Sequence, residues 1–381
     1  MTISLGLLST YPPTQCGIAT FTASLVGALT TLQEQAAVVS IVDARASRQP
    51  AEVVHQWVRG RHGGAQAAAA VLESQQVAII EHEFGIFGGD DGADVLDVIS
   101  ELTVPVITVM HTVLANPSLN QRQIVNVLLA RSERTVVMTR AARERLIDVY
   151  QADPERVVVI PHGAPDTRHF LRPRLSPMRR SRPVVLTWGL LGPGKGIEWA
   201  IEAMALLKGT RPLPRYLVVG ETHPKVLAND GESYREHLTS LVRRAHLEDV
   251  VSFDARYHRT KELFRIANAA DLVLLPYDSA DQVTSGVLAE AVALGKPVIS
   301  TGFPHAQELL SSGAGLIVDR RDPASIAEAL RQVISQPRLM HRMATEARRL
   351  APELHWSAVA DRYRQLAIEV VESPRPLEVT A

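Results

Sequence analysis

The sequence predicts two α/β domains in succession, each built around a doubly wound parallel sheet. Short β-branched runs alternate with helix-length amphipathic segments from one end of the chain to the other. The runs are continuously apolar, which is typical of strands covered by helices on both faces of a parallel sheet. With 381 residues, the chain is long enough for two cores of this kind.

The elements of the first half follow from this alternation. The apolar runs predicted as strands are Ile3–Leu8, Ala37–Val42, Val77–Ile80, Val104–Met110, Thr135–Met138 and Val157–Ile160. The segments with helical periodicity that separate them include Thr20–Leu29, Asp91–Leu102, Ser118–Leu129 and Arg140–Tyr150.

The second half repeats the scheme. Its predicted strands are Pro183–Trp188, Tyr216–Val219, Val250–Phe253, Leu272–Leu275, Pro297–Ser300 and Gly315–Val318. Its predicted helices include Ile197–Leu207, Tyr234–Ala245, Lys261–Ala269, Ser285–Leu294 and Ala324–Ile334. Strands that alternate with helices in this way favour a doubly wound fold in each half.

The predicted N-terminal domain spans residues 1–170, and the C-terminal domain spans residues 183–352. Residues 171–182 between them are rich in Arg and Pro and show no periodicity, as expected for a linker. A solvated linker is one interpretation; contact of its arginines with anionic lipid head groups is the other. Residues 353–381 contain a predicted helix near Ser357–Val371, with enough length to pack back on the first domain.

Composition excludes several classes of protein. Lys and Arg number 40 against 41 Asp and Glu, so no nucleic-acid partner is expected. The single cysteine, Cys16, excludes a disulfide framework and a Cys-based zinc site. The N-terminus has no basic targeting region, and no run of about 18 apolar residues that could span a membrane occurs. We therefore expect a cytoplasmic protein.

A glycine-rich loop follows the first predicted strand of the second domain and opens a helix. It reads G-L-L-G-P-G-K-G and contains Gly189, Gly194 and Lys195. Glycines let the backbone approach an anion, the helix N-terminus offers free N–H groups, and lysine adds a slim positive charge. We predict a phosphate-binding loop here; the alternative is a glycine-rich turn with a surface lysine.

The same loop nearly matches the nucleotide-triphosphatase pattern G-x-x-x-x-G-K-[ST]. Gly196 stands where that pattern has the Ser or Thr that holds magnesium. No strand ending in Asp stands out as a partner for the metal. A triphosphatase is therefore not expected.

A second anion-binding element is predicted where residues 281–290 lead into a helix. Thr284, Ser285 and Gly286 suit its first turn, where hydroxyls cap the helix and N–H groups can bind a diphosphate. Glu290 lies about one turn further along, where its carboxylate can accept ribose hydroxyls. A capped, buried helix with an incidental Glu is the alternative.

Together these elements resemble a glycosyltransferase of the GT-B fold and of the retaining, family-four type. The resemblance rests on the run S-G-V-L-A-E-A-V-A-L-G-K-P-V-I-S-T, on the glycine-rich loop and on the opening Y-P-P-T-Q-C-G-I-A-T-F. It covers nearly the whole chain, with its landmarks in order. It implies two Rossmann-like domains that face each other across a cleft and a nucleotide-diphosphate sugar as donor.

The resemblance also implies roles for donor-binding residues. Lys195 would hold the donor diphosphate together with N–H groups at Ser285 and Gly286, and Glu290 would grip the ribose. Arg256 and Tyr257 fall where the family seats the base, partly through the backbone; a structural role is the alternative for both.

Two positions depart from the family pattern. The first Glu of the family's E-x(7)-E element falls on Gln282, a neutral amide that can bind sugar hydroxyls but cannot act as a base or nucleophile. The family's Arg shortly before the lysine falls on Leu190, so one diphosphate contact is missing or supplied elsewhere. Both departures point to weaker or rearranged donor binding.

Loops that follow the strands of the first domain provide further candidates. Gly17 opens a helix and is expected to approach the donor diphosphate or the acceptor. His111 follows a strand and is expected to contact the sugar and support catalysis. His82 and Glu83 are expected to contact the acceptor or the donor sugar; no second His follows at the H-E-x-x-H spacing of a zinc protease. Helix capping or packing is the alternative for these residues.

The expected function is hexosyl transfer, with retention, from a nucleotide-diphosphate sugar to a carbohydrate or glycoconjugate acceptor. His111, Lys195 and Glu290 are the expected catalytic residues. No D-x-D element occurs, so neither a metal nor another cofactor is expected. No carboxylate stands out as a nucleophile, which favours front-face attack. A nucleotide-sugar epimerase and a non-catalytic nucleotide-sugar-binding relative are the alternative functions.

Overall fold

A computed structural model describes residues 2–61, 63–169, 182–278 and 284–372 of the chain. Two compact units form: Met1–Gly163 with Trp356–Ala381, and Ala164–His355. The first boundary lies before the predicted residue 170, because the backbone after Gly163 already pairs with the second unit. There the Ala164 N–H donates to the Leu354 carbonyl at 2.7 Å.

Most of the predicted linker, residues 171–181, lies outside the described residues. Arg182, at its end, is described and is anchored to backbone of the second unit. Its Nε donates to the Leu213 carbonyl at 3.0 Å, and its Nη1 donates to the Asp249 carbonyl at 3.2 Å. This arginine therefore serves the second unit as a structural donor.

The first unit contains a parallel sheet. Its strands are β1 (Ser4–Ser9), β2 (Gln35–Val42), β3 (Val53–Val58), β4 (Val77–His82), β5 (Val106–Met110), β6 (Arg134–Val137) and β7 (Val157–Val159). The strand order is β3-β2-β1-β4-β5-β6-β7. The chain therefore winds outward in one direction from β1 and in the other from β4, so the topological switch point lies between these two strands.

Helices connect these strands. They are α1 (Gly17–Thr31), α2 (Gly64–Glu73), α3 (Val95–Glu101), α4 (Leu119–Arg131) and α5 (Arg140–Tyr150). Side chains cap several of them, as their sequences favour. At α4, the Ser118 hydroxyl accepts the Gln121 N–H while the Gln121 side chain bonds back to the Ser118 N–H, which is a capping box.

Three details of the first unit differ from the sequence-based expectation. Strand β3 and helix α2 were not predicted, because β3 is an edge strand with polar residues in its middle and α2 is short and alanine-rich. The helix predicted over Asp91–Leu102 is broken into a 3₁₀ turn at Asp90–Gly92 and α3. The break coincides with left-handed backbone at Asp91, with φ +55°, and at Gly92, with φ +82°. A Cβ on Gly92 would lie 2.5 Å from the Phe84 carbonyl oxygen, so only glycine fits there.

The second unit contains another parallel sheet, in which every predicted strand is present. The strands are β8 (Val184–Trp188), β9 (Arg215–Val219), β10 (Val251–Asp254), β11 (Leu272–Leu275), β12 (Val298–Thr301) and β13 (Gly315–Val318). Their order is β10-β9-β8-β11-β12-β13, with the switch point between β8 and β11. The predicted fold class, two doubly wound α/β domains, is confirmed.

In chain order, the helices of the second unit are α6 (Ile197–Leu206), α7 (Pro224–Asp230), α8 (Ser233–Arg244), α9 (Thr260–Ala269), α10 (Gly286–Ala293), α11 (Pro304–Leu310), α12 (Pro323–Ser335) and α13 (Pro337–Leu354). Three of them, α7, α11 and α13, were not among the helices predicted. Proline occupies the first turn of each unpredicted helix. This position suits proline because an N–H group in the first turn has no helical acceptor, so its absence removes no hydrogen bond.

Both sheets are covered on both faces, as continuous apolar strands predict. In β1, Leu5 and Leu7 join the cluster that includes α1 residues, whereas Leu8 joins the opposite cluster with α2 residues. The final helix, α14 (Trp356–Glu372), packs against α1 and inserts the buried Tyr363 into the first cluster. None of the helices in the described ranges is apolar over a length that would cross a membrane.

Candidate active site

The glycine-rich loop directly follows β8 at the switch point of the second unit. The Lys195 N–H turns back to the Gly192 carbonyl at 3.2 Å, and the Gly194 carbonyl accepts the Asp278 N–H at 2.9 Å. The loop is thus bonded to the segment that leaves β11, the neighbouring strand across the switch point. In doubly wound sheets this position is where ligands bind.

Gly196 is required by the geometry of this loop. Its φ is +64°, and a Cβ at this position would lie 1.8 Å from the Pro276 carbonyl oxygen. Neither Ser nor Thr fits there, which gives a physical reason for the departure from the triphosphatase pattern. Gly196 also leaves the N-terminus of α6 without a side-chain cap.

Lys195 is half-buried and lies over an aromatic ring. Its Nζ is 4.6 Å from the centre of the Tyr277 ring, and Tyr277 in turn stacks on Phe303 with centroids 5.5 Å apart. A cation–π contact of this kind holds the ammonium group in place. Tyr277 was missed by the sequence reasoning; its signal was a position two residues after β11, on the other side of the switch point.

The N-terminus of α10 lies at the same switch point. The Ser285 hydroxyl caps it by accepting the Leu288 N–H at 3.2 Å. The Ser285 N–H, expected to help bind a diphosphate, already donates to His305 Nδ1 at 3.1 Å. That expectation is corrected: because the Leu288 N–H is also taken by the cap, Gly286 and Val287 provide the N–H groups of this turn that can meet an anion. Thr284 is half-buried beside this turn, and Gln282 lies outside the described residues.

Glu290 lies further along α10 and is bonded to the end of β8. Its Oε2 accepts a hydrogen bond from Trp188 Nε1 at 3.2 Å, and Trp188 immediately precedes the glycine-rich loop. Burial raises the pKa of Glu290 to about 7, against the weaker opposing effect of the Trp188 bond. The carboxyl group is therefore held beside the loop and can accept hydrogen bonds from hydroxyl groups of a ligand.

Arg256 and Tyr257 follow β10 and differ in how firmly they are held. The Arg256 guanidinium bonds both oxygens of Asp254, at 2.9 and 2.8 Å, and thereby holds the pKa of that carboxyl below its usual range. The buried His258 also bonds Asp254, at 2.9 Å. Tyr257 is half-exposed. Their contact with a nucleotide base stays a prediction.

In the first unit, Gly17 begins α1 directly after the loop that follows β1. The preceding Cys16 caps the helix, its Sγ accepting the Ala19 N–H at 3.3 Å. A Cβ placed on Gly17 would meet no atom within 4 Å, so its backbone is open to close approach. Its contact with a ligand stays a prediction.

His111 lies where β4 and β5 end together, next to the switch point of the first sheet. Its N–H donates to the His82 carbonyl at 3.0 Å, and its Nε2 bonds Glu81 Oε2 at 2.7 Å. The side chain of His111 is 12% exposed, whereas that of Glu81 is fully buried. The Phe21 ring and the imidazole pack in a T-shaped arrangement, with centroids 4.9 Å apart.

His82 and Glu83 differ in their burial and in their contacts. The Glu83 carboxylate accepts a hydrogen bond from the Thr112 hydroxyl and so ties the two strand ends together. The expectation that His82 contacts a sugar is corrected, because its side chain is 0% exposed and its ring stacks on Phe87. Burial lowers the pKa of His82 to about 3, so the imidazole is neutral.

The sequence reasoning missed Glu81 and His305 as well as Tyr277. Glu81 stood in the E-H-E run, but only strand register shows which of these side chains reaches His111. Within the described residues, no group of three or more His, Cys, Asp or Glu side chains is arranged to hold a metal ion.

Comparison with known families fits this geometry. Residues 17–168 match the family Glycosyltransferase Family 4, and residues 175–350 match the family Glycosyl transferases group 1. The chain belongs to the GT-B glycosyltransferases of the family-four type. The first match covers the first unit from α1 to β7, and the second covers both strands at the switch point of the second unit.

Two curated relatives of this family member share the same name. A D-inositol 3-phosphate glycosyltransferase from Kineococcus radiotolerans is 31% identical over 251 residues, which are 60% of this chain and 55% of that protein. One from Thermomonospora curvata is 29% identical over 250 residues, 61% of this chain and 56% of that protein. The chain thus spans a little over half the length of these relatives.

Solved structures share the fold of this GT-B chain. A glycosyltransferase from Rickettsia africae has a TM-score of 0.77 at 14% identity, covering 98% of this chain and 100% of that one. The Anabaena protein HepE, in complex with UDP and glucose, has a TM-score of 0.77 at 16% identity, covering 96% of this chain and 100% of that one. At these identities the likeness concerns the fold alone.

Proposed function

We propose that this protein is a retaining glycosyltransferase that moves a hexosyl group from a nucleotide-diphosphate sugar to a carbohydrate or glycoconjugate acceptor. The observation that carries the proposal is the convergence of Lys195, the first turn of α10 and Glu290 at the switch point of the second sheet. A cation, free N–H groups and a carboxyl group are suited to a diphosphate and a ribose. Membership of the family supports the same proposal.

In the proposed reaction, the bond between the anomeric carbon and the diphosphate oxygen breaks while the acceptor oxygen bonds to the same face of that carbon. The acceptor proton passes to the departing phosphate oxygen, so no side chain serves as base or nucleophile. Lys195 and the N–H groups of Gly286 and Val287 stabilise the negative charge that develops on the diphosphate. His111 contacts the sugar and Glu290 the ribose.

The comparisons suggest which substrates to test first. Solved structures of HepE contain UDP or UDP-glucose, and the curated relatives are named for D-inositol 3-phosphate. We therefore propose UDP as the first nucleotide and D-inositol 3-phosphate as the first acceptor. We also propose that transfer needs no metal ion or other cofactor.

Nucleotide binding is tested by thermal unfolding with UDP, GDP and ADP and with their glucose conjugates. We expect one nucleotide to raise the Tm of the wild type. Lys195→Ala should weaken its binding by about tenfold to a hundredfold, since a hydrogen bond to a charged group contributes about 1.5–3 kcal/mol. Lys208→Ala is the matched control, because its Nζ bonds the Ala245 carbonyl at 2.6 Å in a different part of the unit. No shift with any nucleotide would contradict the proposal.

Transfer is then followed as acceptor-dependent UDP release from UDP-glucose, with and without EDTA. Loss of release in EDTA would contradict metal independence. Conversion of the nucleotide sugar to its epimer without acceptor would instead identify an epimerase. Binding without any turnover would identify a non-catalytic relative, the alternative that Leu190 and Gln282 favour.

A further inference from the structure

The buried carboxyl group of Glu81 has no part in the reaction proposed above. We propose that Glu81 is a positioning residue: it holds a proton on Nε2 of His111, so that Nδ1 presents a lone pair that accepts a hydrogen bond from a sugar hydroxyl. The role of His111 as a sugar contact rests on the proposed function. The state of its ring follows from the geometry of the first unit alone.

Strand register brings the two side chains together. In the parallel pair β4–β5, Glu81 pairs with Val109 and His82 with Met110, so His111 is the next residue beyond the pairing. Its N–H donates to the His82 carbonyl at 3.0 Å, which fixes the backbone. The bond of 2.7 Å between Nε2 and Glu81 Oε2 then fixes the ring. Attachment at two points leaves His111 little freedom to rotate.

Aromatic packing holds the same ring from the side. Phe21 of α1 meets the His111 imidazole in a T-shaped arrangement, at an interplanar angle of 87°. Phe21 is itself packed against His162 and Trp356, with centroids 5.1 and 5.0 Å away. Held by the Glu81 bond and by this packing, the His111 imidazole keeps one orientation.

The proton on Nε2 follows from the nature of the partner. A carboxylate only accepts hydrogen bonds, so the imidazole must donate, and a neutral imidazole then has its lone pair on the other nitrogen. Among the described residues no group bonds Nδ1, and this atom is not one of the buried polar atoms without a partner. Nδ1 therefore reaches the surface.

The other histidines beside this ring do not share its carboxyl partner. His82 is buried with neither ring nitrogen bonded to a described residue, and burial lowers its pKa to about 3. His162 directs Nδ1 to the Gly163 carbonyl at 2.7 Å, and burial lowers its pKa to about 4. His111 alone among these three is bonded to a carboxyl group.

The buried carboxyl group at position 81 is only partly hydrogen-bonded among the described residues. Its side chain is fully buried, and Oε1 has no hydrogen-bond partner among the described residues. The nearby Tyr363 hydroxyl is likewise buried without one. Burying polar atoms in this way costs free energy. Features that cost stability without local compensation are typical of functional sites.

The ring state is tested by NMR on protein labelled with ¹⁵N-histidine, with the His111 signals assigned from a His111→Gln variant. At pH 8 we expect the neutral Nε2–H tautomer in the wild type. Glu81→Gln should admit the Nδ1–H tautomer, because an amide can also donate to Nε2. Glu81→Asp, which keeps the carboxyl group, should retain mainly Nε2–H. An Nδ1–H tautomer or an imidazolium in the wild type, or no change in Glu81→Gln, would overturn the inference.

The matched control is Glu34→Gln, which removes another buried carboxyl group from the first unit. Glu34 accepts the Ile3 N–H and an Arg364 side-chain bond at 2.6 Å, at the start of β2 and thus at the opposite end of the sheet. We expect this variant to lose stability without any change in the His111 tautomer. A tautomer change in both variants would mean that the NMR signal reports general loosening and would overturn the inference.

The positioning role also predicts a kinetic effect in the UDP release assay with UDP-glucose and D-inositol 3-phosphate. For Glu81→Gln we expect kcat to fall by about tenfold to a hundredfold, by analogy with metal-binding histidines that lose their orienting carboxylate. KM for UDP-glucose should change far less, and Glu81→Asp should recover part of kcat. Wild-type kcat in Glu81→Gln would overturn the positioning role. A wild type without any transfer would count against the proposed function, and the tautomer measurement would then decide this inference by itself.

Discussion

At the scale of single residues, strand register decides which polar side chains of the candidate site are available. His82 and His111 both lie at strand ends. The His82 side chain is buried beside the rings of Phe84 and Phe87, whereas the His111 side chain reaches the surface. A sequence pattern gives both the same expectation, because it shows that a strand ends but not which face its last side chain takes. Successive side chains along a strand point to opposite faces of the sheet, so the position of a residue in this alternation decides whether its side chain is buried or reaches the surface.

Glu290 gives a prediction for the pH dependence of stability. Burial raises its pKa from 4.5 to about 7 in the folded protein, so the folded state binds a proton more tightly than the unfolded state. The resulting stabilisation is complete below about pH 4.5 and is lost as the pH rises through 7, an effect of about 3 kcal/mol. Relative to Glu290→Gln, the wild type should therefore lose stability across this interval in urea titrations.

The control for this prediction is Glu328→Gln. Glu328 lies on the surface of α12 and pairs with Arg331, so its replacement should leave the pH profile of the wild type unchanged. If Glu290→Gln and the wild type give parallel stability curves from pH 4.5 to 7.5, the carboxyl group does not carry the raised pKa.

At the scale of elements, the loop after β8 shows how backbone geometry limits chemistry. The loop had the residues of a phosphate site and lacked only the hydroxyl of the triphosphatase pattern. The structure explains that difference through the close approach of Gly196 to the Pro276 carbonyl. The sequence predicted where the loop lies, whereas the contact with the segment after β11 could not be predicted from local residues.

Gly196→Ser tests this constraint. A Cβ at this position requires the backbone to shift and also imposes an unfavourable positive φ, so we expect a loss of at least about 2 kcal/mol in the free energy of unfolding. Gly209→Ala is the matched control, because a Cβ there meets no atom within 4 Å. It should change stability by well under 1 kcal/mol. Equal stability of both variants in urea titrations would contradict the constraint.

At the scale of the whole molecule, the end of the chain completes the first unit. Helix α14 follows the second unit in sequence but buries Tyr363, Leu366 and Val370 in the core around β1 and α1. Its amphipathic pattern made the helix predictable. That α14 packs against the first unit was suggested only by the length of chain left after the second core, because the sequence pattern does not specify which apolar surface the helix covers.

Tyr363→Ala should therefore destabilise the first unit. Removing a fully buried aromatic side chain costs about 3–5 kcal/mol. Hydrogen exchange should show the loss of protection in β1 and α1, which lie far earlier in the sequence. Gln365→Ala, an exposed change on the same helix, should leave protection close to that of the wild type. Protection lost only within α14 would contradict the packing.

Local sequence was enough to predict the parallel α/β class, the strands of the second unit and the loops that carry Gly17, His111 and Lys195. These features depend on local pattern, since periodicity, glycine and capping residues act within a few positions. The partners of these side chains became known only from the folded structure: Glu81 for His111, Tyr277 for Lys195 and Trp188 for Glu290. The bond from Trp188 to Glu290 joins residues 102 positions apart. Such pairs depend on strand order and register, which are properties of the assembled sheet rather than of any one segment.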